Sequence, residues 1–316
     1  MCKTEYHKKP LVFGKQIELL KSRGMEIDVE QIEAEKYLSN YGYYRLSAYS
    51  NLFRKTDTKN KIRLDEFING TSFSEIIKLY EFDSKLRNHL MRAIEKIEIS
   101  LRTNITHELS TKTNNAFIHY DSCIYHKNFL ENQKPESPRL NHGKWMAKIE
   151  KQIRGSTDAF IKHYKKKYID FPKLPLWMFT EILTISELSY FYNGLSNNLK
   201  KDISVKFAPF HYKSLTTFFH RLSIVRNICA HHGRLWNREI ATAGYLKRSG
   251  WNNLQNTRLF FTVVLIVSLL QSRDILDNWF EILVKIIEPN INNKIYREQM
   301  GFPKNWKTHP LLPGNK

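Results

Sequence analysis

The sequence predicts an all-α fold. Apolar residues recur every three or four positions over long stretches, alternating β patterns closed by tight glycine turns are scarce, and no period of 20–50 residues repeats. With 316 residues, 41% of them hydrophobic, the chain can bury a core without disulfide support.

The first segment, LVFGKQIELLKSRGMEIDVEQIEAEKYLSNYGYYRLSAYSNLF, reads as three short helices. Asp28 with Gln31 three residues on predicts a capping-box start, followed by Ile32, Tyr37 and Leu38 before a break at Gly42. The polar stretch RKTDTKNKIRLDEFINGTS, 54–72, reads as a connector with hinge character. From Phe73 to Ser110 the row Leu86, Leu90, Ile94, Ile97, Leu101, Ile105, Leu109 predicts one long amphipathic helix, the spine of the core.

ENQKPESPRLNHG, 131–143, reads as a loop, followed by a basic helix ending near Tyr168. LWMFTEILTISELSYFYNGL, 176–195, predicts one helix with Trp177 and Phe191 in the core. Leu215, Phe218, Leu222, Val225 and Cys229 step by three and four, which places VRNICAHHGRLWNR at the end of a further helix stopped by Gly233. Two more helices follow, in LFFTVVLIVSLL and NWFEILVKIIE. The expected organisation is an N-terminal helical subdomain over 1–60, a main helical domain over 71–301 and a tail over 302–316.

The run at 259–270 is shorter than the roughly 20 residues a membrane span needs, so it reads as a buried helix. Cys2, Cys123 and Cys229 are odd in number and never form a C-x-x-C pair, which suits a reducing compartment. No apolar run near the N-terminus matches a secretory signal, and a cytoplasmic protein without a membrane partner is expected.

Fifty Lys and Arg against 31 Asp and Glu leave a formal charge of +19, favouring a polyanionic partner. The excess is densest in Arg139, Lys144, Lys148, Lys151, Arg154, Lys162, Lys165, Lys166 and Lys167, opposed only by Glu150 and Asp158. Trp145, Phe160 and Tyr164 interleave with these charges, which suits base stacking as well as packing. A solvated helical face would show the same pattern.

The chemistry-bearing stretch is Arg226 to Arg238. Cys229, His231 and His232 cluster, but no second Cys or His pair lies at zinc spacing, so no metal and no cofactor is expected. No phosphate-binding glycine loop, nucleophile elbow or paired catalytic carboxylates occur. Cutting RNA without a metal needs a proton-transfer group of near-neutral pKa and a cation for the phosphate, and His and Arg suffice. The spacing alone proves little: at separations of roughly four to six positions, chance supplies about two Arg–His pairs in a chain of this composition. Three occur, Arg226 with His231, Arg226 with His232, and Arg102 with His107. Arg102 is also placed to pair with Glu98 at i,i+4, and Arg226 to pair with Glu181 or another buried acid.

These residues carry a family resemblance. RNICAHHGRLWNR, together with KQIELLKSRGMEI, YLSNYGYYRLSAY, IEKIEISLRTNI, LPLWMFTEILTISELSYFY and MGFPKNWK, resembles the AbiD/AbiF-type (Abi-like) abortive infection proteins over most of the chain. That family is similar to HEPN-domain ribonucleases, helical proteins whose R-x(4–6)-H motif cleaves RNA without metal. The resemblance implies a HEPN-like helical bundle, Arg226, Asn227 and His231 as catalytic residues, and a homodimer in which two motif copies face one another. The R-N-x-x-x-H arrangement favours His231, with His232 the alternative. His232, Arg234, Asn237 and Arg238 become accessory residues for phosphate or loop packing. The resemblance further implies a role in anti-phage defence and a small regulatory RNA as partner, which the basic patch suits. The same charge would serve a non-catalytic protein that sequesters RNA, or a basic module on a membrane surface.

Overall fold

The computed structural model describes residues 5, 9–60, 62–131, 141–240 and 250–314. Cys2, Arg139 and most of the predicted 131–143 loop lie outside them. Among the described residues there are fourteen α-helices and one two-stranded sheet, so the protein is all-α in class. The chain divides into two compact units, Met1–Leu86 and Arg87–Lys316.

The smaller unit begins with α1 (Phe13–Ser22), α2 (Gln31–Tyr41) and α3 (Tyr43–Ser50). They bury Ile17 and Leu20, Ala34 and Leu38, and Leu46 and Tyr49 respectively. Gly42 joins α2 to α3 at φ 78°, a left-handed conformation that a side chain would strain. The predicted capping box is not formed: the N-cap of α2 is Glu30, with no side-chain bond, and Ile32 is exposed. Asp28 instead accepts from the Ser74 backbone N–H (2.9 Å) and hydroxyl (2.5 Å), capping the first turn of the long helix from a distance.

The predicted connector contains an antiparallel hairpin, β1 (Arg54–Asp57) and β2 (Ile62–Phe67), with Thr56 opposite Arg63 and a bulge between Arg54 and Thr56. Its residues are exposed except for Phe67 and the partly covered Arg54 and Asp57. One buried aromatic and the Asp65 carboxylate, held by Arg23 (2.8 Å) and Arg54 (3.1 Å), fix it in place of an apolar face. That is why no alternation marked it in the sequence.

The predicted spine forms as α4 (Phe73–Thr113), and the boundary between the units falls inside it. Leu90, Ile94, Ile97, Leu101, Ile105 and Leu109 are fully buried in the larger unit. There follow α5 (Lys127–Leu130), α6 (His142–Gly155), α7 (Ala159–Lys167), α8 (Leu176–Ile182), α9 (Ile185–Gly194), α10 (Asn197–Val205) and α11 (Tyr212–Ala230). The chain closes with α12 (Leu259–Ser272), α13 (Trp279–Ile291) and α14 (Lys294–Met300).

Two predicted helices are each broken in two. The basic helix splits into α6 and α7 at 156–158, where the Ser156 hydroxyl bonds the Asp158 carboxylate instead of continuing the helix. The 176–195 helix splits into α8 and α9 because Thr184 and Glu187 form a complete capping box that starts a new helix. The break turns Trp177 outward, 51% exposed, while Phe191 is buried as predicted.

The apolar run becomes α12, buried on nearly every face. No described helix is long and apolar enough to cross a membrane. Arg221, itself buried, joins α11 to the entry of α12 by donating to the Thr262 hydroxyl (2.9 Å) and the Arg258 carbonyl (2.9 Å), with Phe261 under its guanidinium. Burial pulls its pKa down to about 10, so it stays a cation at neutral pH, with donors seated on hydroxyl and carbonyl acceptors.

Between α4 and α8 the fully buried His119 ring lies 4.2 Å from Tyr120 and 4.3 Å from Phe179. Burial, reinforced by His142, lowers its pKa to about 3. Between that value and the ordinary 6.5 the unfolded chain therefore binds one proton more than the folded one, and stability falls as pH drops through this window. Comparing urea unfolding at pH 7 and pH 4, we expect His119→Leu to lose about 3 kcal/mol less than the parent chain. Equal losses in the two proteins would mean that the imidazole is not held neutral.

Candidate functional site

The site grows from the last two turns of α11. Val225, Ile228 and Cys229 bury its inner face, while His220, Asn227 and His231 are exposed. At about 100° per residue these three lie within about 40° of one line along the helix, and Arg226 is about 140° round from His231. Arg226 is accordingly half-buried on the flank.

The helix ends at Ala230, and its stop differs from the predicted glycine stop. His231 is the C-cap, at φ −91° and ψ 14°. His232 takes the left-handed conformation at φ 54°. The His232 N–H bonds the Cys229 carbonyl (3.0 Å) and the Gly233 N–H bonds the Ile228 carbonyl (2.8 Å), the two closures of a Schellman motif. Gly233 is needed for room: a Cβ there would lie 3.3 Å from both the side chain and the carbonyl of Ile228.

Helix α9 touches the motif, and α4 carries an acid that feels the charge of Arg226. On the α9 side, Asn227 donates to the Ser186 hydroxyl (3.4 Å), while its own Oδ1 lies 3.5 Å from Arg226 Nη1. On the α4 side, Glu98 carries a carboxylate with an 18% exposed side chain that accepts from Arg102 Nη2 at 3.1 Å. Burial raises the Glu98 pKa, and the charges of Arg102 and Arg226 oppose that rise. Arg102 also donates to the carbonyls of Thr180 (2.8 Å) and Leu183 (3.0 Å), and Glu181 lies 3.8 Å from it. The i,i+4 pair expected of Arg102 and Glu98 is thus present. The Glu181 contact offered to Arg226 goes to Arg102 instead. His107 is exposed, about 140° round α4 from Arg102.

Beyond the stop, Leu235 and Trp236 are fully buried, Trp236 edge-on to Tyr296 of α14 at 5.4 Å. Arg258 holds the Asn237 carbonyl (3.3 Å) and Glu239 (3.0 Å). Arg234 is half-buried, and Arg238 is exposed with Nη1 close to Gly233. The accessory residues therefore belong to a loop clamped against the core at the motif's edge.

The basic residues of α6 and α7 are all exposed: Lys144, Lys148, Lys151, Arg154, Lys162, Lys165, Lys166 and Lys167. Some are already engaged. Lys148 pairs with the buried Glu187 of α9 (2.9 Å), and Arg154 grips Glu150 with two nitrogens. Trp145 and Tyr164 are buried in the core and offer no stacking face, which removes two of the three aromatic residues suggested for that role; Phe160 is 39% exposed. Glu187 links this surface to the motif, since it joins Lys148 while its neighbour Ser186 meets Asn227.

The sequence reading missed Ser186 and Glu187, and named Glu98 only as the partner of Arg102. The T-x-x-E signature of Thr184 and Glu187 was present, but the surrounding apolar run masked it. Among the described residues no group of three or more His, Cys, Asp and Glu side chains is arranged to hold a metal. Cys229 is buried and Cys123 exposed, and neither forms a disulfide.

The family model described as Abi-like protein matches residues 36–237, from α2 to the loop past the motif. No curated protein and no solved structure matches the chain.

The left-handed His232 makes a test of the helix stop. His232→Gly relieves the backbone there and His232→Ile aggravates it, so the Gly variant should be the more stable of the two by about 1–2 kcal/mol in denaturant melts. Equal stabilities would show that the turn does not impose this conformation.

Proposed function

The chain belongs to the Abi-like protein family, and from that premise we propose that this abortive-infection protein is a metal-independent endoribonuclease of the HEPN kind, cytoplasmic and acting through Arg226, Asn227 and His231. The observation that carries the reading is the local geometry of the motif: an exposed imidazole at the helix end, an exposed amide on the same face, and a half-buried guanidinium on the flank, 3.5 Å from that amide.

The chemistry follows from those groups. A neutral imidazole takes the proton of a ribose 2′-hydroxyl, whose oxygen attacks the adjacent phosphorus; the P–O5′ bond breaks, and an imidazolium returns a proton to the leaving oxygen. The products are a 2′,3′-cyclic phosphate and a 5′-hydroxyl. Arg226 neutralises charge on the phosphoryl oxygens, and Asn227 orients it through the 3.5 Å contact. A homodimer would supply the second imidazole. The lysines of α6 and α7 contribute sequence-independent phosphate contacts, to the substrate or to a small regulatory RNA.

His231→Ala is expected to reduce cleavage of single-stranded RNA by purified protein at least about 100-fold while RNA affinity stays within about threefold. Activity of the parent protein should persist in EDTA. Undiminished cleavage by His231→Ala sinks the nuclease assignment, and RNA binding without cleavage in the parent protein would favour sequestration instead.

The α7 lysines give a separate measurement. Replacing Lys165, Lys166 and Lys167 together by Gln should flatten the slope of log affinity against log salt by about 2, roughly 0.7 for each single-strand phosphate that these side chains no longer neutralise. An unchanged slope would place the RNA path elsewhere.

A further inference from the structure

The stretch MGFPKNWK, 300–307, lies past the motif loop and takes no part in the proposed reaction. It leaves α14 through Gly301, left-handed at φ 75°, after which the Phe302 N–H returns to the Arg297 carbonyl (3.0 Å). A 3-10 turn follows at Trp306–Thr308. The Trp306 N–H bonds the Pro303 carbonyl (3.2 Å) and the Thr308 N–H bonds the Asn305 carbonyl (3.1 Å). Trp306 is buried, 5.3 Å from Phe302 and 6.4 Å from Phe280 of α13. That ring anchors the turn to the core, so the exposed side chains of Lys304, Asn305 and Lys307 start from fixed backbone.

Between this turn, the end of α13 and α14 lies a cavity of about 610 Å³, within the roughly 300–1,000 Å³ of small-ligand pockets. Its polar walls are Glu288 and Asn292 at the α13 end, Arg297 of α14, and Lys304, Asn305 and Lys307 of the turn. Three of these are cations and one is an acid, which leaves the lining with a net charge of +2. Glu288 is already neutralised, since it pairs with Lys307. Among the described residues no acid meets the side chain of Arg297 or Lys304. Glu298, the neighbour of Arg297, is turned to Lys294 at 3.9 Å. Arg297 is half-buried, where a guanidinium without an acceptor bears a desolvation cost that an anion relieves. Its planar fork suits two phosphate oxygens at once, and an ammonium beside it adds a point charge.

We propose that this cavity binds a small organic phosphate of mononucleotide size, with Arg297 and Lys304 on the phosphate oxygens and the amides of Asn292 and Asn305 on its sugar or base. The volume exceeds what inorganic phosphate fills, and each amide offers both a donor and an acceptor to a polar organic group. No residue of the 226–238 stretch lines the cavity, so the site does not depend on the proposed RNA cleavage. It adjoins the motif loop through α14: Tyr296, about 100° round the helix from Arg297, meets Trp236 at 5.4 Å.

Isothermal titration calorimetry of the full-length protein with ADP, ribose 5-phosphate, inorganic phosphate and adenosine tests the site. The two esters should bind, inorganic phosphate should bind more weakly than either, and adenosine should give no heat. Arg297→Gln and Lys304→Gln should each weaken ADP binding at least about tenfold. Lys294→Gln, on the same helix but outside the cavity, should leave it within about twofold. Circular dichroism melts check that the variants fold, and Lys304 is exposed, so its replacement spares the core. Absence of binding by both esters, adenosine bound as tightly as ADP, or ADP affinity that survives both cavity replacements overturns the proposal. A single-stranded RNA oligonucleotide is the last arm. If it displaces ADP and loses as much affinity in Arg297→Gln as ADP does, the cavity is part of an RNA path and the small-ligand site is refuted. None of these readouts requires the protein to cleave RNA.

Discussion

The Arg102 guanidinium is the interaction on which the arrangement of the larger unit depends. It leaves the middle of α4 and occupies the two carbonyls at the end of α8, which fixes where α8 stops. With α8 closed there, Thr184 is free to cap a new helix, and Glu187 completes the box by reaching back to the Thr184 N–H at 3.0 Å. Everything at the candidate site hangs from that restart. Ser186 is aimed at Asn227, Oε1 of Glu187 receives Lys148 and Gln152, and Glu98 is left holding the same guanidinium from behind. Removing the cation would take its donors from the Leu183 carbonyl and a half-buried carboxylate and leave the Thr180 carbonyl only the Leu183 N–H, a larger loss than any one surface ion pair represents.

The net charge of +19 looks uniform in composition but not in space. Arg102, Arg221 and Arg258 are committed to backbone carbonyls, where they serve as helix caps and loop clamps. Lys148 and Arg154 are drawn toward acids on their own or neighbouring helices. Lys165 and Lys167 instead lie over the Phe171 and Tyr168 rings at 5.4 Å, contacts weak enough at exposed positions to be exchanged for phosphate. The balance between structural arginines and surface lysines follows from their chemistry. A planar fork with five donors can satisfy several fixed acceptors in a half-buried place, whereas an ammonium on a flexible stem keeps its hydration and stays at the surface.

Periodicity made the long elements legible: α4, α11 and α12 are where the three-and-four spacing of Leu, Ile, Val and Phe puts them, because burying an apolar stripe is what stabilises a helix of that length. Breaks were harder to read. The interruption at Thr184 lies inside a largely apolar stretch, where α9 buries seven of its ten residues and α8 three of its seven, so no polar linker marks the break. The hairpin around Asp57 carries too few buried side chains to alternate. At the site, the motif residues were legible as chemical types, but Ser186 lies 41 positions from Asn227 along the chain, and no local pattern connects a hydroxyl on one helix with an amide on another. Trp177 and Trp145 illustrate the same limit from the other side, because each aromatic's face is chosen by helix phase and by where the helix is broken.

The tandem histidines are separated by backbone geometry rather than by their chemistry. His231, with φ −91° and ψ 14°, still donates its N–H to the Asn227 carbonyl at 3.0 Å and continues the exposed line of Asn227 and His220. His232, at φ 54°, begins its side chain from a left-handed residue, so its Cβ departs in a different direction from a regular helical position. Two adjacent imidazoles on opposite-handed backbone cannot occupy one place by simple rotation about χ1. Substitution of one for the other in a proton transfer would require the Schellman turn itself to open, which would release two backbone hydrogen bonds and uncover Ile228. The strain of a β-carbon in the left-handed region is maintained by those two bonds and by Gly233, whose missing side chain lets the chain pass against Ile228. His231 thus lies on the face shared with Asn227, and His232, exposed as well, starts the loop that leads through Leu235 and Trp236 into the core.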